Sequence, residues 1–193
     1  MVKYKKMKKL HLNNRLFFTL FGVGICYVLA FFFPVLMNVA HGFLVLVILT
    51  FMVDYLFLFN QKNAIQAQRV LPEKLSNGDQ NSIKIDIKNN YPFKVKTKII
   101  DEIPFQFQKR DFLIERNIAT RKNILFEYIL EPKERGEYSF GNLNIFAESS
   151  LGLVSRRFTL QKDAMLPSYP SFIHLRKYEL MALQNEFLLG GIK

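Results

Sequence analysis

The side chains able to do chemistry are few in this chain and poorly spaced for it. The three histidines, His11, His41 and His174, are scattered, unlike the close spacing on which histidine metal sites are built. A single cysteine, Cys26, rules out an intramolecular disulfide and a thiolate cluster. Asp101 and Glu102 are neighbours on a strand-like segment, so their side chains point to opposite faces and cannot share a substrate or a proton. No serine, cysteine or histidine is arranged as a nucleophile with its base. Gly78, Gly136, Gly141 and Gly152 fall between strand-like runs, as turns and bulges require, and not in a phosphate-binding loop. Arg156 and Arg157 read as a solvated or lipid-facing edge rather than an anion site. The sequence thus offers no catalytic residue, no cofactor-binding residue and no metal ligand.

Asp54 is the one acid inside an apolar run. An ionisable group in a membrane is a functional candidate by default. Neither apolar run supplies a cation or a second acid for a proton or ion relay, and the residue lies in the last turn and a half, from which it can reach the interface. A structural or interfacial role is expected.

The elements that must hold these residues divide the chain into two solvents. Of 193 residues half are hydrophobic and 20 are phenylalanine, and most of the excess sits in Leu16 to Met37 and Phe43 to Phe59. The first run has no formal charge and, at a rise of about 1.5 Å per residue, extends about 33 Å, enough for a hydrocarbon core of about 30 Å. The second is shorter. The pentapeptide NVAHG (38–42) between them suits a tight turn, so 16–59 reads as a membrane hairpin of two transmembrane helices, 16–37 and 43–59. Gly22 and Gly24 would allow close approach of the helices, and Pro34 would kink the first. A signal peptide is excluded by the length of the first run, by the lack of a small-residue cleavage site and by the second run that follows at once.

Formal net charge is +11, and its densest part is the arm 1–15, with Lys3, Lys5, Lys6, Lys8, Lys9 and Arg15. The turn has no Lys or Arg, so both termini are expected in the cytoplasm, with the protein in the inner membrane. The arm serves as a topology signal that also rests on anionic lipid. Beyond Phe59 the positive excess is modest and does not call for nucleic acid.

From 63 to 170 the period becomes two. SIKIDIKNN sets Ile83, Ile85 and Ile87 against Lys84, Asp86 and Lys88, and NILFEYIL sets Ile124, Phe126, Tyr128 and Leu130 on one side. Further strands are expected over Ile65–Leu71, Phe93–Ile100, Glu137–Ala147 and Leu153–Leu160, separated by SNGD, NNYP and EPKERG. Short strands without intervening helices predict an all-β antiparallel sandwich whose core forms independently of the membrane part. Residues 171–193 turn helical, with Ser171 as N-cap and apolar residues on more than one side.

Two segments carry a family resemblance: ERGEYSFGNLNIFAESSLGLVSRR, then LPSYPSFIHLRKYEL. Their Arg-Gly-aromatic turn, Phe-Gly, Leu-Gly-Leu followed by basic residues, and Tyr-Pro before a short helix resemble the domain-of-unknown-function 58 family of bacterial membrane proteins. RVLPEKLSNGDQNSIKIDIKNN and the two apolar runs are similar to it as well, so the resemblance covers essentially the whole chain. It implies a membrane hairpin, a β-sandwich and then a domain similar to von Willebrand factor A. It also implies, as partners, MoxR-type AAA ATPases, often encoded beside such proteins, and von Willebrand factor A-like proteins. Any metal-dependent adhesion site would belong to that further domain, so no ligand residue is transferred. The expected function is a membrane-anchored, non-enzymatic scaffold or assembly protein, with FLLGGIK (187–193) leading into a further domain. An envelope enzyme accessory protein and a complete small β-sandwich binding module are the alternatives.

Overall fold

The computed structural model of the chain describes residues 10–109, 112–161 and 163–171. The helix expected over 171–193 lies, Ser171 apart, outside the described residues, as do the lysines of residues 1–9 and His174.

Two helices follow the short segment 10–13: α1, Asn14–Phe32, and α2, Met37–Phe59. Both are long and apolar enough to cross a membrane, rising about 28 and 34 Å. The turn between them is Phe33–Leu36, not 38–42 as expected. A residue before proline is pushed out of the helical region, and Phe33 is extended at φ −127°, ψ 90°. Pro34 then opens a single 3-10 turn, so the proline makes the hairpin instead of kinking a helix. Asn38 to Gly42, polar enough to look like a turn, are already helical, with His41 Nδ1 donating to Met37 O at 2.7 Å.

The buried positions of α1 are Leu16, Val23 and Ala30, and those of α2 include Ala40, Val47 and Asp54. Both rows recur every seven residues, the spacing of a helix–helix seam. Gly22 lies against the Phe43 ring, 3.8 Å from where a Cβ would stand, whereas Gly24 faces open space. Off the seam, Phe17, Phe18, Phe21, Phe31, Val39 and Leu46 are exposed. Apolar side chains outside as well as inside the seam do not suit water on that surface.

Eleven strands account for most of the other described residues: β1 (Leu10–Leu12), β2 (Ile65–Val70), β3 (Leu75–Ser76), β4 (Asn81–Asn89), β5 (Val95–Asp101), β6 (Leu113–Ile118), β7 (Asn123–Leu130), β8 (Gly136–Phe140), β9 (Leu143–Glu148), β10 (Val154–Leu160) and β11 (Ala164–Tyr169). A five-stranded sheet, β1-β10-β9-β5-β6, packs with two three-stranded sheets, β2-β4-β7 and β3-β11-β8. All pairings are antiparallel except the short β3–β11 pair, which is parallel. Alternation in β4 puts Ile83, Ile85 and Ile87 wholly inside, each contributing about 1.5–3 kcal/mol. The core also takes in Leu58 from the last turn of α2, so helix and sandwich share buried surface.

Four strands were not expected. β1 falls within the expected arm 1–15, whose residues Leu10–Leu12 pair with β10 in the five-stranded sheet. β3 is only two residues long. In β6 the pattern LIERNI is almost wholly exposed, as befits an edge strand. β11 contains Pro167, which argues against a strand but is tolerated because β3 reaches only Ser168 and Tyr169. The strand expected over Glu137–Ala147 is broken at Gly141–Asn142, where the chain passes from the β11 sheet to the five-stranded one. A Cβ on Gly141 would stand 2.5 Å from Glu102 Oε2 and 2.8 Å from Glu102 Cβ, so glycine is needed there.

At the end of the sandwich away from the helices, a charged pair crosses the core. Arg69 and Asp101 fall on the inward phase of β2 and β5 and form a buried ion pair. Arg69 Nε reaches Asp101 Oδ2 at 3.0 Å, its Nη2 reaches both Asp101 Oδ1 and Gly141 O, and the guanidinium lies over the Phe140 ring. Tyr128 of β7 donates its hydroxyl to Asp101 Oδ2 at 2.6 Å. Burial first, and then the adjacent carboxylate, push the Tyr128 phenol far up, so it stays a donor. Asp101→Asn, which leaves Arg69 buried without its counter-charge, should cost about 3–5 kcal/mol, seen as a lower thermal midpoint of the β-sheet circular dichroism of the full chain in detergent. The pair Arg69→Met with Asp101→Leu should restore much of that loss, and a double variant as unstable as the single one would contradict the pairing account.

Candidate functional site

The polar groups that matter most gather where α2 runs into the sandwich. Asp54 is fully buried, and its partners come from the connection between β9 and β10, Ser149 to Leu153. Ser149 Oγ donates to Asp54 Oδ1, while the backbone N–H groups of Leu153 and Val154 donate to Oδ2 at 2.9 and 3.1 Å. The same Ser149 oxygen accepts from Leu151 N at 3.1 Å, which closes the loop on itself. Three donors converge on one carboxyl group, so neither of its oxygens is buried without a partner. Asp54 is thus enclosed by protein and held by hydrogen bonds, and it does not reach out to an interface.

The same loop holds the start of α1. Asn13 N donates to Leu153 O at 3.0 Å, Asn13 Nδ2 to Gly152 O at 3.1 Å, and Arg15 Nη1 to Leu151 O at 3.3 Å. Gly152 has φ +67°, and a Cβ there would meet Arg15 Nη1 at 2.9 Å, so this position combines a left-handed backbone with close cover. Strand β1 continues the contact, with Leu10 opposite Arg156 and Leu12 opposite Val154. Both helices are thus fastened to one turn of the sandwich.

Arg156 closes the end of α2. The last carbonyls of a helix have no partner within it and carry the negative end of its dipole. Arg156 Nη1 donates to Leu58 O and to Gln61 O, each at 2.6 Å, and Nη2 to Lys62 O at 3.4 Å. Its guanidinium carbon lies 5.1 Å from the Phe59 ring centre and 4.7 Å from that of Phe158, so it lies over two aromatic rings. Leu58 O also accepts from the Tyr91 hydroxyl at 2.7 Å. Burial raises the Tyr91 phenol, with Arg156 opposing, and the group remains a donor. The expectation of a solvated or lipid-facing edge is wrong for Arg156, which is buried. Arg157 is half-buried and donates to Asn144 Oδ1.

The other candidates are dispersed. His11 packs edge-on to Phe146 and His41 to Tyr27; Cys26 is a free, half-buried thiol on α1. Asp101 and Glu102 do point opposite ways: Glu102, exposed, accepts from Asn142 and Asn144. Among the described residues no group of three His, Cys, Asp or Glu side chains is placed to hold a metal. A cleft of about 500 Å³, with Phe57, Phe93, Leu151 and Gln61 in its walls, opens beside the joint. Ser149 and Tyr91 had no signal of their own in the sequence, although both sit in segments that carry the family resemblance or mark a turn.

Neither a protein-family model nor a curated protein sequence matches the chain. Among solved structures, the PapD-like domain 7 of human CEP192 is 10% identical, covering 56% of this chain and 87% of that one with a TM-score of 0.41. The CARDB domain of the PF1109 protein from Pyrococcus furiosus is 11% identical over 54% of this chain and 87% of that one, with a TM-score of 0.39. A PKD domain of an M14-like peptidase from Thermoplasmatales archaeon SCGC AB-540-F20 is 14% identical over 52% and 92%, with a TM-score of 0.33. Likenesses this distant say nothing about function.

Asp54→Ala leaves the Ser149 hydroxyl and two backbone N–H groups without an acceptor, at about 1–3 kcal/mol for each buried group left unpaired. Amide hydrogen exchange at Leu153 and Val154 should accelerate at least about tenfold, with the β4 amides unchanged. Unaltered exchange at both amides would show that the carboxyl group does not hold the loop.

Proposed function

We propose that the chain is a membrane-anchored, non-enzymatic scaffold module that holds a β-sandwich in a fixed attitude against the cytoplasmic face of the inner membrane. The observation that carries this reading is the joint itself: one turn of the sandwich binds the start of α1 and the end of α2 through Asn13, Arg15, Asp54 and Arg156. A flexible tether would need none of these bonds. The apolar outer surface of α1 and α2 supports a bilayer as their solvent. The buried charged side chains Asp54, Arg69, Asp101, Glu148 and Arg156 are all engaged in bonds that join segments, which favours a structural role over an active site.

Sidedness follows from charge. The arm 1–15 is lysine-rich, whereas the turn Phe33–Leu36 and its flanks up to Gly42 contain neither Lys nor Arg, a bias that supports a turn outside and a sandwich in the cytoplasm. The resemblance to the domain-of-unknown-function 58 family adds a MoxR-type AAA ATPase as the partner for such a scaffold, and a von Willebrand factor A-like domain as the part that the sandwich would present to it.

Single cysteines at Val35 and Arg121, in a Cys26→Ser background, test the arrangement. A thiol reagent unable to cross the membrane should label Val35→Cys in intact cells, with the outer layers made permeable, and Arg121→Cys only after lysis. The reverse pattern would put the sandwich outside, and release of the chain by alkaline carbonate would contradict anchoring altogether.

A further inference from the structure

The end of the sandwich nearest the helices carries charge of one sign. Four connections meet there: 60–64 between α2 and β2, 90–94 between β4 and β5, 119–122 between β6 and β7, and 149–153 between β9 and β10. They contain Lys62, Lys94, Arg121 and Lys122, all exposed, and no aspartate or glutamate. None of the four forms an ion pair among the described residues. The connections at the opposite end carry both signs, for example Glu102 with Lys109, and Glu131 and Glu134 with Lys133 and Arg135.

These basic loops are held together by the Asn89-Asn90 turn. Asn89 N donates to Lys122 O at 3.0 Å and Asn89 Nδ2 to Ala119 O at 3.0 Å. Asn90 N donates to Ala64 O at 2.8 Å, Asn90 Nδ2 to Asn63 O at 2.9 Å, and Gln61 Nε2 to Asn90 O at 3.3 Å. Three connections are thereby fixed side by side at the end of α2. Next to them opens the apolar cleft walled by Phe57, Phe93 and Leu151. Cations beside an apolar cleft suit the boundary between headgroups and acyl chains.

We propose that this end of the sandwich binds the headgroups of anionic phospholipids, with Lys62, Lys94, Arg121 and Lys122 as the contacting cations. The inference rests on the anchoring of α1 and α2 proposed above: α2 ends at Phe59 and Lys62 follows three residues later, so an anchored helix leaves these loops beside the headgroup layer, within reach of its surface charge. Nucleic acid would meet the same cations, but only by entering the space between sandwich and bilayer.

The full chain, reconstituted in phosphatidylcholine vesicles containing either spin-labelled phosphatidylglycerol or spin-labelled phosphatidylcholine, should immobilise the former about fivefold or more in preference, the weight of a single surface cation. The preference should fall toward one in 1 M salt and in the quadruple variant K62Q/K94Q/R121Q/K122Q, and persist in the charge-keeping variant K62R/K94R/R121K/K122R. An immobilised component without lipid preference overturns this inference alone, as does a preference that survives the quadruple glutamine variant and disappears only when the arm lysines Lys3 to Lys9 are replaced. No immobilised component for either lipid would mean that α1 and α2 are not in the bilayer, and would overturn the anchoring together with the inference.

Discussion

A carboxyl group shut away from water must find its hydrogen-bond donors inside the protein, and much else in this molecule follows from where Asp54 finds them. The residue continues the row of Ala40 and Val47 on the seam of α2, so it cannot turn to solvent without rotating the helix. Its donors are two consecutive backbone N–H groups and a serine hydroxyl in a turn nearly a hundred residues away. The turn has to arrive with its amides pointing inward, which fixes the attitude of β9 and β10 to the helix. Asn13 and Arg15 meet the carbonyls of that turn, so α1, α2 and the five-stranded sheet are registered on one short loop.

Arg156 completes the joint by a separate route. It meets carbonyls that lack a helical partner at the end of α2 with a cation that can make several hydrogen bonds and still lie over two aromatic rings. A lysine has one nitrogen and no flat face, and could not replace all of these contacts. Leu58 contributes in both respects: its side chain lies in the sandwich core and its carbonyl takes both Arg156 and Tyr91. Helix and sandwich share a core as well as a linker. At the far end, Arg69, Asp101 and Tyr128 tie the opposed sheets together, and the glycine that lets the chain change sheets, Gly141, supplies its carbonyl to the same arginine.

Periodicity made the larger features readable. The charge-free run in α1 and the isoleucine alternation in β4 are strong signals that tertiary contacts did not override. The hairpin turn was misplaced because polar Asn38 and His41 weighed more than the restriction that Pro34 puts on Phe33; the local backbone rule was the better guide. Arg69 and Asp101 were visible in principle as charges on the inward phase of strands, but each needs the other to make sense, and sequence places no strand against its partner in the opposite sheet. Asp54 on a heptad row was similarly legible as a seam residue, whereas its donors, being backbone N–H groups, leave no mark in a sequence. Arg156 was misread for the same reason: a partner made of carbonyls has no side-chain identity. The segments that carry the family resemblance, Phe-Gly-Asn and Ser-Ser-Leu-Gly-Leu, turn out to be the sheet crossing and the loop that receives Asp54.

The bonds made by Asn13, Arg15, Asp54 and Arg156 predict that the helices and the sandwich move as one rigid body, as the proposed scaffold at a bilayer requires. The most direct test is the distance distribution between spin labels on α2 and on the β6–β7 turn, at Val45→Cys and Thr120→Cys in the Cys26→Ser chain reconstituted in a bilayer. A rigid joint predicts a single narrow distance that broadens when Asp54→Ala and Arg156→Ala are combined. A broad distribution in the otherwise unaltered chain, insensitive to those two substitutions, would show that the sandwich swings freely on its tether and would contradict the account.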